Sequence, residues 1–271
     1  GGMDLVVCQV LPSLNVGGVE RGVVEVANHL ADEGMRNIVA CSGGAMAAQL
    51  RSDVTLVVSP ILASKNPVNV LFFTPLLLLR VVHEHGVTIL HARSRHSAWS
   101  AWIVRLLSGV KVVCTHHGAY GLERGLVKRV VARPMLWGDL AIMPSEFIMR
   151  HVMAHQRVTK GGIPGRFARL LVIPRGVDCS VFEWTGGAAA RAQALAAQWG
   201  LRPDTRYILL PGRISRIKGQ LQLLSALAAP VSTPPPINAL LVGREGTGGR
   251  YGGKVEAGAE LARGCCGGDV R

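Results

Sequence analysis

With 271 residues, 49% of them hydrophobic and only 17% charged, the chain has apolar material for one large or two modest domains, which excludes an intrinsically disordered protein. Its 30 Lys and Arg against 17 Asp and Glu give a formal charge of +13, so the expected partners are anions: phosphorylated small molecules or an anionic membrane surface. Nucleic acid is not expected as a partner, because the basic residues are scattered, mostly Arg, and not interleaved with aromatic platforms.

In chain order, Asp4–Leu11 is apolar on both faces, as a buried parallel strand should be. A turn-rich loop, Pro12–Gly18, leads into Val19–Leu30, where Val19, Val23, Val26, Ala27 and Leu30 recur at helical spacing; Gly34 marks the helix end. Further strands are predicted at Asn37–Cys41, Val54–Val58, Val87–His91, Val110–Thr115, Leu140–Met143 and Leu170–Ile173. Helices are predicted between them, near Val70–His85, Ala98–Leu107, Arg124–Leu136 and Glu146–His155. The alternation indicates a parallel sheet with helices on both faces.

Pro174 to Gly187 reads as a hinge, after which the alternation restarts with helix Ala188–Trp199, strand Tyr207–Leu210, helix Lys218–Ala228 and strand Ile237–Val242. The expected organisation is a first domain over 3–174, a linker over 175–187 and a second unit over 188–271. A cleft between two such units is the expected place for ligands. Residues 243–271 hold 10 of the 33 glycines, so an irregular tail is predicted. With at most two strands the second unit is expected to be incomplete, through truncation or a frame disruption.

Six cysteines without CxxC spacing suit a reduced cytoplasm better than a disulfide framework. No cleavable leader is expected, and Gly1 and Gly2 before Met3 read as a remnant. The longest greasy stretch, Val70–Leu79, is too short to span a bilayer and contains Pro75.

Three loops stand out because each follows a strand, where α/β folds place their sites. In Asn15–Arg21 the pair Gly17–Gly18 lets backbone N–H groups approach a phosphate at a helix N-terminus; a plain strand-to-helix turn is the alternative. In Thr115–Gly118 a histidine can donate to a substrate or accept a proton, unless it is structural; metal binding is disfavoured because adjacent histidines lack further ligands at suitable spacing. In Gly212–Gly219 the cations Arg213 and Lys218 stand where a diphosphate could be held, a solvated basic loop being the bland alternative. No DxD pair occurs, so a carboxylate-held divalent cation is not expected, and fixed cations would take its role.

Five stretches in register, VLPSLNVGGVERGVVEVANHL, ILHARSRHSAWSAW, VVCTHHGAYG, VIPRGVD and ILLPGRISRIKGQ, resemble the family-four glycosyltransferases of GT-B architecture, in particular the bacterial lipopolysaccharide and cell-envelope branch. The resemblance implies two Rossmann-like domains with parallel sheets. It also implies transfer of a sugar from a nucleotide-sugar donor, with retention, to a lipid-linked or lipopolysaccharide-type acceptor, using no metal or other cofactor. It places Gly17 and Gly18 near the donor phosphates or acceptor, His117 by the transferred sugar, and Arg213 and Lys218 on the diphosphate. Glu20, Arg93 and Arg95 fall on the acceptor side, and Arg175–Asp178 at the crossing between domains. The family's acidic E-x7-E motif is not matched: Glu245, Glu256 and Glu260 have other spacing. The chain alone could therefore be an inactive remnant that binds anions or membrane.

Leu71–Val82 is apolar nearly all round, with Arg80, His83 and His85 at its end. It suits either a buried helix or one resting on an anionic membrane, which would put a cytoplasmic protein at the inner face of the cytoplasmic membrane.

Overall fold

A computed structural model describes residues 5–162, 167–228, 237–243 and 251–266. The chain divides into two compact units, Gly1–Val177 and Asp178–Arg271.

The first unit carries seven parallel strands: β1 (Val7–Val10), β2 (Asn37–Cys41), β3 (Thr55–Val58), β4 (Ile89–Ala92), β5 (Lys111–Thr115), β6 (Leu140–Met143) and β7 (Arg169–Val172). They are ordered β3-β2-β1-β4-β5-β6-β7. The order reverses between β1 and β4, so the loops leaving those two strands diverge and open a crevice at the carboxyl edge. The connecting helices are α1 (Gly18–Asp32), α2 (Thr74–His85), α3 (Arg95–Ser108), α4 (Leu126–Ala132) and α5 (Glu146–Gln156).

Alternate strand residues sort the two faces. Cys8, Val10, Leu90, Ala92, Val112 and Cys114 join α2 and α3 in one core, and Leu11, Val39 and Cys41 pack with Val23, Val24 and Ala27 of α1 in another. Ser94 and Ser97 form a reciprocal capping box that starts α3, and Gly109 in the left-handed region ends it. Asp139 ties β5 to β6. It accepts from the Val112 backbone N–H at 2.9 Å and from both Nε and Nη2 of Arg105 at 3.1 Å.

Two predicted helices are interrupted. Over Val70–His85, Asn69–Phe73 forms a widened π turn before α2. The Pro75 ring would press on the carbonyl four residues back, at Leu71, and the wider turn relieves this. Over Arg124–Leu136, α4 is preceded by Gly125 at φ +136° and followed by a 3₁₀ turn containing Pro134.

The second unit has α6 (Ala188–Gln198), then β8 (Arg206–Pro211) and β9 (Ile237–Val242) paired in parallel, with α7 (Gln220–Leu227) and α8 (Gly252–Cys266). The expectation of an irregular tail is corrected by α8. Its Lys, Glu, Ala and Leu residues are good helix formers, and Val255 and Ala259, one turn apart, bury against Leu224 and Ala239. Glu256 is exposed on this helix, while Glu245 and the side chain of Glu260 lie outside the described residues. Among the described residues no helix is long and apolar enough to cross a membrane.

Candidate active site

The carboxyl edge of the first sheet gathers polar side chains for a simple reason of parity. His91, Arg93, Thr115 and His117 are alternate residues on the adjacent strands β4 and β5 and their continuations. Their neighbours Leu90, Ala92, Val112 and Cys114 point into the opposite core. On the polar side the His91 Nε2 lies 2.7 Å from the Thr115 hydroxyl, and Arg93 Nη1 donates to both, at 3.3 and 3.4 Å. Since a guanidinium only donates, His91 Nε2 is the acceptor of this group. Burial first, then the charge of Arg93, holds its imidazole well below the usual range.

His117 is set by a residue from a distant part of the chain. Arg175, just past β7, donates through Nη1 to the Gly18 carbonyl at 2.9 Å and through Nη2 to His117 Nδ1. Nδ1 must therefore accept, which puts the ring proton on Nε2. Burial, followed by the charges of Arg93 and Arg175, pushes His117 down to about 3, so the ring is neutral at physiological pH. The side chain then offers a fixed N–H donor and not a proton acceptor. Its Nε2 is buried and has no partner among the described residues.

The backbone N–H of His117 donates to the Tyr120 hydroxyl at 3.1 Å. Tyr120 itself sits at φ +54°, an uncommon conformation for a large side chain, and carries the Arg95 guanidinium 5.0 Å above its ring. Arg95 thus braces the His117 turn. His116 points the other way: it is fully buried, neither ring nitrogen has a partner among the described residues, and burial lowers it to about 4.

At the start of α1, Gly17 serves as N-cap with no side-chain cap bond. The Glu20 carboxylate folds over Gly17, where a Cβ would overlap it, and a Cβ on Gly18 would meet Arg175 Nη1 at 3.0 Å. Among the described residues no cluster of His, Cys, Asp or Glu could hold a metal ion.

In the second unit, the loop after β8 holds Arg213 and Lys218, both exposed. The helix predicted to open at Lys218 begins instead at Gln220. Arg216–Lys218 is a 3₁₀ turn, and Gly219 at φ +80° separates it from α7. The buried Gln220 carboxamide fastens the loop, donating to the Arg213 carbonyl at 3.1 Å and accepting from the Ser215 N–H at 3.3 Å. Lys218 lays its stem over Gly212, with its Cδ 3.6 Å from where a Cβ would stand.

Sequence reasoning gave no site role to Arg175, named only at the crossing between domains, to Thr115, named only as part of the Thr115–Gly118 loop, or to His91, named only as a strand end. The signal for the last two lay in the repeated polar-x-polar endings of two apolar strands, His91-x-Arg93 and Thr115-x-His117.

A family model described as Glycosyltransferase Family 4 matches residues 16–181. The D-inositol 3-phosphate glycosyltransferase of Segniliparus rotundus is 27% identical over 165 residues, which are 58% of this chain and 34% of that enzyme. A glycosyltransferase from Rickettsia africae is similar in structure, with a TM-score of 0.76 at 24% identity over 99% of this chain and 68% of its own. Anabaena Alr3699/HepE, solved with UDP and glucose, gives 0.76 at 18% identity, covering 98% of this chain and 68% of its own. WaaG, a glycosyltransferase involved in lipopolysaccharide biosynthesis, gives 0.67 at 14% identity over 98% of this chain and 69% of its own. These similarities identify the fold as that of GT-B proteins, with the second sheet here small.

Proposed function

The chain belongs to glycosyltransferase family 4, and on that premise we propose that it serves the transfer of a sugar, with retention, from a nucleotide-sugar donor to a cell-envelope acceptor of the lipopolysaccharide type. The observation that carries this reading is the neutral His117, whose tautomer Arg175 fixes so that Nε2–H is presented as a donor. Such a donor suits a sugar hydroxyl and gives no driving force to protonate the leaving group, which departs as a diphosphate and needs fixed positive charge instead. Arg213 and Lys218 supply that charge in the second unit, without a metal. The Gly17–Gly18 backbone would meet the acceptor, the other ligand expected there, once the Glu20 carboxylate swings off Gly17. The UDP bound by Anabaena Alr3699/HepE and the lipopolysaccharide role of WaaG support the choice of donor and acceptor classes.

The test is calorimetric. UDP should bind the full chain, and Lys218→Ala should weaken it by about 1.5–3 kcal/mol through loss of a charge-assisted hydrogen bond. Equal affinity before and after the substitution would remove Lys218 from the donor site.

A membrane surface is the proposed location of the acceptor. Phe72, Phe73 and Leu76 are 52–63% exposed beside α3, and Leu126 and Val127 are 75–76% exposed on α4, against the same helix. Lys65, Arg80, Arg124 and Lys128 lie in or near these segments, a pairing of apolar and basic side chains that suits anionic headgroups. This reading sets the protein at the cytoplasmic face of the membrane.

A further inference from the structure

We propose that Arg93 and Arg175 form an oxyanion site, complete within the first unit, that takes a phosphate or carboxylate carried by the sugar acceptor. Only the identity of the bearer, a glycosyl acceptor, rests on the transferase reading; the site itself stands on its own geometry.

Arg93 is 7% exposed, yet no carboxylate among the described residues lies within ion-pair distance of it or of Arg175. A buried guanidinium normally has an anionic partner, since desolvating an uncompensated charge costs several kcal/mol. The partners Arg93 does have, His91 and Thr115, are neutral: they hold the fork in place and leave its charge uncancelled. Its Nε is buried and makes no hydrogen bond among the described residues, and its Nη2 faces the first turns of α1, 3.6 Å from where a Cβ on Gly22 would stand.

Arg175 is likewise bonded only to neutral groups, the Gly18 carbonyl and His117. The two cations stand close enough that Arg175 is among the causes, after burial, that bring Arg93 down to about 10. Arg93 therefore remains charged at neutral pH. The acid best placed to neutralise them, Glu20, lies over Gly17 and pairs with neither. Two like charges facing each other beside the uncapped N-terminus of a 15-residue helix would be stabilised by an anion between them.

Guanidinium forks donate two parallel N–H bonds to carboxylate or phosphate oxygens, a geometry that an ammonium point charge lacks. The donor diphosphate already has two cations of its own, Arg213 and Lys218, in the other unit. A second cationic pair in the first unit therefore fits a second anion, and the acceptor is the reactant left to carry it. Acceptors built on sugar acids or phosphorylated sugars should be preferred over neutral sugars.

The experiment uses the full chain and inorganic phosphate as probe, titrated at low ionic strength by calorimetry, with glucuronate, glucose 6-phosphate and glucose as further arms. Phosphate and the two anionic sugars should bind and glucose should not, with the stronger of the anionic sugars showing which oxyanion is favoured. Arg175→Gln, at an exposed position, should weaken phosphate by about tenfold or more through loss of a charged hydrogen bond. Arg93→Met should do the same if circular dichroism shows it folded; if it is not folded, Arg175→Gln decides alone. Saturating UDP and the Lys218→Ala substitution should leave phosphate affinity unchanged. Phosphate binding that survives Arg175→Gln, or that disappears with UDP or Lys218→Ala, would overturn the site, the latter by assigning the anion to the donor. If UDP fails to bind while Arg175-dependent phosphate binding persists, the donor reading falls and the oxyanion site stands.

Discussion

Acidification should destabilise the first unit before its carboxylates titrate, because the fold holds three imidazoles in their neutral form, His91 and His116 buried and His117 half-buried. His116 is held at about 4 and His117 at about 3, against an ordinary value of 6.5, and His91 is displaced in the same direction. All three folded values are depressed by burial, so the unfolded chain takes up protons first as pH falls through 6.5. Stability is therefore complete above that value and lost progressively below it, towards the folded values. Between about pH 7.5 and pH 5 each such histidine removes about 2 kcal/mol, the free energy of protonating a free imidazole but not the buried one. His116 and His117 together remove about 4 kcal/mol and His91 adds to that, against a typical domain stability of about 5–15 kcal/mol. Urea unfolding at a series of pH values measures this, with near-ultraviolet dichroism reporting the packed Trp99, Trp102 and Trp137 of the first unit. His116→Leu should lower the linked uptake by about one proton, since neither ring nitrogen leaves a partner behind. Uptake of less than one proton in the wild type over that range would refute the assignment of neutral buried histidines.

Other perturbations address other parts of the molecule. Asp139→Ala removes the acceptor of a backbone N–H and of a two-nitrogen Arg105 contact, and thermal denaturation should show a loss of about 2 kcal/mol, confined to the first unit. In Gly243→Ala a Cβ would overlap the Gly212 carbonyl oxygen, backbone that cannot yield without moving the Arg213 loop. UDP affinity should fall while the first unit's pH-dependent unfolding is unchanged. Replacing Phe72 and Phe73 with Ser should reduce sedimentation with anionic liposomes without loss of helical signal; undiminished binding would exclude that surface as the contact.

The sequence by itself determined the alternation of strands and helices, because continuous apolar runs and 3.6-residue periodicity are local signals. Every predicted strand of the first unit is present, its ends matched or displaced by one to three residues where pairing and not hydrophobicity sets them. It also singled out Gly17, Gly18 and His117, which lie where a strand gives way to a loop, while Arg93 and Arg95 came from the family resemblance. Local patterns were silent on the break before Pro75, on the helix made by a glycine-rich tail, and on the direction of His116 compared with His117. Those depend on which face a neighbouring element covers. The partnership that matters most, Arg175 with His117 and Gly18, joins residues 58 and 157 positions apart. No spacing rule could supply it. Only the sheet order, which carries the ends of β1, β5 and β7 to one edge, brings that guanidinium to the ring whose tautomer it fixes. The same arrangement places it near a buried arginine that has no counter-charge among the described residues.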